Sequence, residues 1–146
     1  VDSRFGTARE HIVMAETICG TPPLHTLAQV EPVGPKKLFD ILIIAPCTGN
    51  TLAKLAHSIA DCAVTMAAKG HLRNGKPVVL AIATNDGLSA SAPNIAVLLN
   101  RKNYYFVPFG QDDAAKKPTS MVADFAMIPQ AMTEALAGLQ IQPILL

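Results

Sequence analysis

The fold of this chain is decided by the stretch Ile41-Leu42-Ile43-Ile44-Ala45-Pro46-Cys47-Thr48-Gly49-Asn50-Thr51-Leu52-Ala53-Lys54. It begins with strand formers, continues as a short loop of small and polar residues, and ends in an apolar-periodic segment typical of a helix. We therefore predict a buried strand at residues 41–45 that ends at Pro46, and a helix capped by Asn50 or Thr51. Ligands of open α/β sheets bind outside the carboxyl ends of strands, and free N–H groups at a helix start favour anions. The loop thus predicts a ligand site with anion-binding character.

Strands alternate with helices along the rest of the chain. Apolar runs typical of buried strands occupy residues 41–45, 78–83 and 104–109, and helical periodicity occupies 7–18, 51–59, 61–69, 93–100 and 127–139. Residues 27–33 fit either a short strand or a helical turn before a break at Gly34-Pro35. Residues 85–87 predict a turn, 110–119 a polar loop and 141–146 an extended tail. The alternation predicts an α/β fold, a Rossmann-like or flavodoxin-like parallel sheet with helices on both faces.

The predicted sheet has few strands for its class. The sequence indicates three strands, and the chain opens on a helix with no strand before it. We therefore expect residues 1–146 to form a single domain that lacks its first strand and helix.

Composition is typical of one well-filled domain that carries little charge. The 146 residues are 50% hydrophobic and 16% charged, with a formal net charge of +1. Globular domains are typically about 25% charged, so we expect part of the surface to be covered in an oligomer. Scattered basic residues do not favour nucleic-acid binding, and no apolar run approaches the roughly 20 residues of a membrane span. Three cysteines without C-x-x-C spacing argue against a disulfide framework or zinc site, and favour a reducing cytoplasm.

A second polar loop, Ala83-Thr84-Asn85-Asp86-Gly87, follows the next predicted strand. The carboxyl ends of neighbouring parallel strands meet at one edge of a sheet, so Thr84 and Asn85 should share a crevice with the first loop. Amide and hydroxyl groups both donate and accept hydrogen bonds, which suits a heterocycle such as a flavin ring. Neither loop contains an obvious general base, so we assign no catalytic residue.

Two further motifs do not predict a site. The segment Gly70-His71-Leu72-Arg73-Asn74-Gly75-Lys76 has P-loop spacing, but Pro77 replaces the magnesium-binding Ser or Thr and the strand follows it instead of preceding it. Cys47 and His57 invite a nucleophile–base interpretation, but about two helical turns of about 5.4 Å each separate them. The remaining histidines are isolated in the sequence, and we expect them to be solvated or half-buried: His11, His25 and His71.

The loop at residues 110–119 holds two acidic and two basic residues: Asp112, Asp113, Lys116 and Lys117. Composition alone favours a solvated turn. The alternative is that Lys116 and Lys117 contact an anionic substrate or a partner protein. Because the loop follows the strand predicted at 104–109, it should emerge on the ligand side of the sheet.

The first loop also carries a family resemblance. The stretch Ala45-Pro46-Cys47-Thr48-Gly49-Asn50-Thr51-Leu52-Ala53-Lys54-Leu55-Ala56, followed by Ile59-Ala60-Asp61, resembles the P-x-S-x-N-T…K-x-A-x-G-x-x-D motif of the flavin-dependent cysteine decarboxylase superfamily. That superfamily includes phosphopantothenoylcysteine decarboxylase, lantibiotic peptide decarboxylases and flavin prenyltransferases, Rossmann-like proteins that bind FMN between subunits, usually of trimers. The resemblance implies FMN as cofactor, a trimer-based homo-oligomer, and a cofactor site formed by these residues: Pro46, Cys47, Thr48, Gly49, Asn50, Thr51, Thr84 and Asn85.

Further stretches, spread over nearly the whole chain, resemble one component of a two-component synthase of spore-forming bacteria. They are Arg4-Phe5-Gly6 and residues 31–35, 44–50, 66–69, 73–80, 84–86, 103–113, 116–118 and 140–145. They imply a small dicarboxylate substrate, a partner subunit that carries a nicotinamide cofactor (NADP), and a role in the mother-cell cytoplasm during sporulation. Residues 34–37 lack the His of the decarboxylases, and the P-x-M-N-x-x-M-W substrate clamp is not present. Both departures argue against decarboxylation.

Overall fold

The computed structural model of the chain describes residues 6–146, so Arg4 and Phe5, which contribute to the resemblance, lie outside the described part. The described strands are Leu42–Cys47 (β1), Val78–Thr84 (β2), Tyr104–Phe106 (β3), Phe109–Gly110 (β4) and Met121–Ala123 (β5). The described α-helices are Ala8–Cys19 (α1), Leu27–Val30 (α2), Val33–Lys36 (α3), Gly49–Ala56 (α4), Ala63–Arg73 (α5), Ala92–Leu99 (α6) and Ile128–Leu136 (α7). A 3₁₀ turn, Phe125–Met127, precedes α7.

The centre of the sheet is β2, whose residues 78–82 are 0% exposed. It pairs in parallel with β1, from Leu42 opposite Val78, and in parallel with β3, from Tyr104 opposite Val78. This confirms the predicted α/β fold built on a parallel sheet. The end of β2 pairs antiparallel with β5, which in turn pairs with β4, so the sheet is mixed.

The first strand is longer than predicted, and the helix after it starts earlier. Pairing shifts register between Ile44 and Cys47, which allows Cys47 to lie opposite Ile82 inside the sheet. The prediction that Asn50 or Thr51 caps the helix is wrong. Thr48 is the cap, because its backbone is extended and its hydroxyl accepts the Thr51 N–H at 3.5 Å.

Residues 104–109 do not form the single strand predicted for them. The Val107 N–H still bonds to the Leu80 carbonyl at 3.0 Å, but Pro108 has no N–H to continue the ladder. The chain then bends into β4, which pairs with β5, a three-residue strand that the sequence did not indicate.

Residues 27–36 form two short helices, α2 and α3, joined by a turn at residues 31–32, which decides the open choice between strand and helical turn. Gly34-Pro35 lies inside α3 instead of breaking the chain there, because proline is tolerated in a first helical turn. Gly34 allows α3 to approach α5, since a Cβ at this position would lie 2.9 Å from the Gly70 Cα.

The other helical predictions are confirmed, with ends shifted by a few residues. The first helix, α1, has no buried residue, and Ile18 is 77% exposed. Within residues 6–146, no helix combines the length and the apolar character that crossing a membrane requires.

Candidate functional site

The loops after β1 and β2 meet in one cleft with a volume of about 520 Å³. This volume lies in the range of small-molecule sites, about 300–1,000 Å³. The cleft lies at the carboxyl ends of two neighbouring parallel strands, where open α/β sheets bind their ligands. Its lining residues come from α4, the loop after β2 and the start of α6: Gly49, Asn50, Ala53, Thr84, Asn85, Asp86, Ala90, Ser91 and Asn94.

One wall of the cleft is the first turn of α4. The Thr48 carbonyl accepts the Leu52 N–H at 2.9 Å, and its hydroxyl lies 3.3 Å from the Thr51 hydroxyl. The N–H groups of Gly49 and Asn50 come too early in the helix to have an intrahelical acceptor. They give this wall hydrogen-bond donors and the positive end of a helix dipole.

The opposite wall is a carboxylate held by two hydroxyl groups. The Thr84 hydroxyl donates to Asp86 Oδ1, and the Ser91 hydroxyl donates to the same oxygen at 2.8 Å. These two bonds lower the pKa of the Asp86 carboxyl, which therefore stays ionised. The sequence did not single out Asp86 as a site residue, although its position two residues after Thr84 at a strand end was a usable signal.

Gly49 connects the two walls. A Cβ at this position would lie 2.8 Å from both the Ser91 and the Thr84 hydroxyl oxygens and 3.1 Å from Asp86 Oδ1. Only a residue without a side chain allows the start of α4 to approach this cluster so closely.

The loop after β2 is also tied to the start of β5. The Thr119 hydroxyl donates to the Asn85 carbonyl at 2.7 Å, and the Leu88 N–H donates to the Thr119 carbonyl at 2.9 Å. These bonds fix the backbone of Asn85, whose exposed side chain lines the cleft.

The predicted cofactor residues divide into two groups. The structure brings Gly49, Asn50, Thr84 and Asn85 to the cleft, and their role in binding stays a prediction. The others are not among the lining residues: Pro46 is exposed, Cys47 is 0% exposed, Thr48 is the helix cap, and the Thr51 hydroxyl lies against that of Thr48. Burial raises the pKa of the Cys47 thiol to about 12, so Cys47 is not an activated nucleophile.

Lys116 and Lys117 do not line the cleft within the described part of the chain. The Lys117 ammonium lies 2.8 Å from Asp112 Oδ2, and the Lys116 N–H donates to Asp113 Oδ1 at 3.0 Å. Hydrogen bonds from Lys117 and Ser120 lower the pKa of the Asp112 carboxyl to about 2. The loop therefore compensates part of its own charge.

The prediction that His71 is solvated or half-buried is wrong. It is 2% exposed, and its Nε2 has no hydrogen-bond partner among the described residues. Burial lowers the pKa of His71. The P-loop-like segment is the end of α5 and the turn before β2, so its role is structural. Among residues 6–146, no group of three or more His, Cys, Asp or Glu side chains is arranged to hold a metal ion.

Comparisons with known proteins agree with the resemblance seen in the sequence. The Flavoprotein family model matches residues 10–130. The chain is 45% identical to the B subunit of dipicolinate synthase from Bacillus subtilis (strain 168) over 144 residues, 99% of this chain and 72% of that protein.

Two solved structures extend this result. The B subunit of dipicolinate synthase from Bacillus halodurans C superposes with a TM-score of 0.92 at 44% identity, covering 100% of this chain and 75% of that chain. The FMN-dependent cysteine decarboxylase SpaF has a TM-score of 0.63 at 25% identity, covering 85% of this chain and 71% of that chain. The predicted membership of the flavin-dependent superfamily, and the specific match to one synthase component within it, are confirmed.

Proposed function

The chain belongs to the Flavoprotein family, and we propose that it is the FMN-binding B subunit of a dipicolinate synthase. With an A subunit that carries NADP, it forms dipicolinate from a hydroxy-tetrahydrodipicolinate precursor by dehydration and oxidation. This takes place in the mother-cell cytoplasm of a sporulating bacterium. The observation that carries the proposal is the cleft between α4 and the loop after β2.

The chemistry of the cleft suits FMN. The N–H groups at the start of α4 are free to donate to a flavin ring, and the amides of Asn50 and Asn85 match the donors and acceptors of that ring. The Asp86 carboxylate accepts hydrogen bonds only, so it suits a hydroxyl or ring N–H and disfavours a phosphate beside it. Flavin would supply the redox chemistry, while these residues bind and orient it.

The direct test of cofactor binding is the substitution Asn50→Asp in the full-length protein. The substitution places a second carboxylate in the cleft, so we expect weaker FMN binding, measured by quenching of flavin fluorescence. An acidic residue in the first turn of a helix is stabilising, so lost binding would not result from unfolding. Asn100→Asp, outside the cleft, is the matched control. Unchanged FMN affinity in Asn50→Asp would contradict the assignment of this loop.

Turnover separates a catalytic subunit from a scaffold that retains flavin only structurally. Dipicolinate formation is measured by absorbance with the A subunit alone, with the FMN-loaded chain added, and with the same chain stripped of FMN. A catalytic FMN subunit predicts that the rate depends on FMN. A rate that depends on this chain and is independent of its flavin supports the scaffold instead.

A second candidate function is FMN-dependent decarboxylation or prenyl transfer, favoured by the similarity to SpaF. Residues 34–37 contain no histidine to match that of the decarboxylases. Release of CO₂ from a peptide with a carboxy-terminal cysteine would support this alternative against the synthase.

We also propose a trimer-based homo-oligomer. Exposed apolar side chains such as Met14, Ile18 and Leu88, which are 58%, 77% and 52% exposed, would then be partly covered. Light scattering at micromolar concentration with FMN bound tests this, and a monomeric mass would refute it.

A further inference from the structure

A second cavity, of about 430 Å³, lies at the opposite end of the sheet from the cleft. It is lined by the end of α4, one face of α5 and the turn before β3: Leu55, Ser58, Ile59, Ala60, Thr65, Lys69, Leu72, Arg101, Lys102, Asn103 and Tyr104. The Val78 N–H, at the amino end of β2, donates to the Asn103 carbonyl at 2.8 Å. Thr84, at the other end of β2, lines the cleft, and a strand of this length spans roughly 20 Å. The two sites are therefore separate.

The walls of this amino-end cavity combine apolar surface with positive charge. Leu55, Ile59 and Leu72 give it aliphatic surface, and Tyr104 adds an aromatic ring. Lys69 and Lys102 also line the cavity, and both are exposed. No carboxylate of residues 6–146 lines the cavity, and neither lysine forms an ion pair with a carboxylate of that range. These two positive charges therefore have no anionic partner in the described part of the chain.

The cavity wall is held in place by Arg101. Its guanidinium donates to the carbonyls of Leu55 and Ala56 at 3.1 and 2.8 Å and to the Ser58 hydroxyl at 3.3 Å. These bonds connect the turn before β3 to the end of α4 and engage most of the donors of the guanidinium. Ser58 and Asn103, on this wall, have φ values of 59° and 68°, which the surrounding contacts must sustain. The lysines, not Arg101, are therefore the groups available to a ligand.

We propose that the amino-end cavity binds a small aromatic carboxylate. The aromatic body lies against the Leu55, Ile59 and Leu72 side chains, and the carboxylate is held by Lys69 and Lys102. The volume is in the range of small-molecule sites, and an apolar lining with a few polar groups that fix orientation is their usual composition. Ammonium groups beside apolar surface select an anion over a neutral molecule of the same shape. The inference rests on residues other than those of the flavin cleft, so either proposal can fail alone.

The test uses 2-naphthoate, titrated into isotope-labelled protein and followed by amide chemical shifts. We expect saturable binding that shifts the amides of residues 58–60, 69–72 and 101–104. Lys69→Met with Lys102→Met keeps the aliphatic stems and removes both charges. We expect this double variant to raise the Kd by about tenfold or more. Lys36→Met with Lys37→Met, two exposed lysines outside the cavity, is the matched control, with an expected change below about twofold.

A neutral isostere, 2-naphthamide, separates charge recognition from simple apolar binding. We expect it to bind at least about tenfold more weakly than 2-naphthoate. Four results would overturn the proposal: no saturable binding at millimolar 2-naphthoate, shifts centred on residues 84–94, unchanged affinity in the Lys69 and Lys102 double variant, or equal affinity for the amide. An unchanged reference spectrum of each variant shows that it is folded.

Discussion

The two ends of β2 carry opposite chemistry. At its carboxyl end, the cleft offers amides, hydroxyls and the Asp86 carboxylate, and no lysine or arginine of the described residues lines it. At its amino end, the cavity offers apolar surface with Lys69 and Lys102, and no described carboxylate lines it. The same helix, α4, borders both, and the fully buried residues 78–82 separate them. One buried strand can therefore hold apart two sites whose ligand preference is decided by the segments at its ends.

The largest effect is expected from Gly49→Ala, which should abolish ligand binding in the cleft and leave binding in the amino-end cavity unchanged. The new Cβ would lie 2.8 Å from the hydroxyl oxygens of Ser91 and Thr84, so either these hydroxyls rotate away from Asp86 or the start of α4 moves. Overpacking of this kind typically costs about 1–3 kcal/mol of unfolding free energy. We expect FMN binding to be lost in fluorescence titrations while 2-naphthoate affinity is retained. Equal loss of both would show that the two sites are not independent.

The converse change is Arg101→Met, which should loosen the cavity and spare the cleft. It removes the hydrogen bonds from the guanidinium to the Leu55 and Ala56 carbonyls. We expect a loss of about 1–2 kcal/mol in urea unfolding, because these bonds carry a charged donor but are partly exposed. The matched control is Arg73→Met, an exposed arginine of α5, with an expected change within about 0.5 kcal/mol. We expect both variants to keep the FMN affinity of the unsubstituted protein. Weaker FMN binding in Arg101→Met alone would show that the cleft depends on the cavity at the other end of β2.

A smaller effect is the contribution of His71 to the pH dependence of the unfolding free energy. His71 lies in α5, a helix that also lines the amino-end cavity. Burial lowers the pKa of His71; Lys76 lowers it further, while the bond to the Pro77 backbone and the Asp40 charge raise it. Because the folded-state pKa lies below the value of about 6.5 in an unfolded chain, the unfolded state takes up this proton first as pH falls. The contribution of His71 to the unfolding free energy should be full above about pH 7 and decrease as the pH falls below about 6.5.

Urea unfolding from about pH 7.5 to about pH 5.5, a range that brackets the unfolded-state pKa, checks this with His71→Gln and the exposed control His25→Gln. We expect the unfolding free energy to fall less with decreasing pH in His71→Gln than in the unsubstituted protein. In His25→Gln it should fall as much as in the unsubstituted protein. A decrease of equal size in all three proteins would contradict the role of His71.

The cleft was predictable from the sequence because its signals are local. Asn50 and Asn85 each follow a run of strand formers, and the rule that ligands bind at carboxyl ends places them together. That Thr48 and not Asn50 caps the helix could not be predicted from the loop sequence alone. It depends on how far β1 continues past Pro46. Asp86 was missed although it follows Thr84 by only two residues, and its second hydroxyl partner, Ser91, joins it only in the folded chain.

The amino-end cavity could not be predicted in the same way. Its residues come from segments around positions 55–60, 65–72 and 101–104, and no short motif joins them. His71 shows the same limit, since it is 2% exposed in the folded chain although no pattern among its sequence neighbours indicated its burial. Residues whose environment is made by distant segments carry no periodic or spacing signal.

The smallest effect is expected from the double variant Lys116→Ala, Lys117→Ala, which lies on neither site. The Lys117 ammonium is already paired with Asp112, and both side chains are partly exposed, so unfolding in urea should change little. Because the loop does not line the cleft, we expect weaker association with the A subunit, mainly through a salt-dependent on-rate, and an unchanged KM once the partner is saturating. Lys36→Ala with Lys37→Ala is the control for the loss of two positive charges. A raised KM at saturating partner would instead indicate that the lysines contact the dicarboxylate substrate, and no change in either quantity would leave the loop a solvated turn.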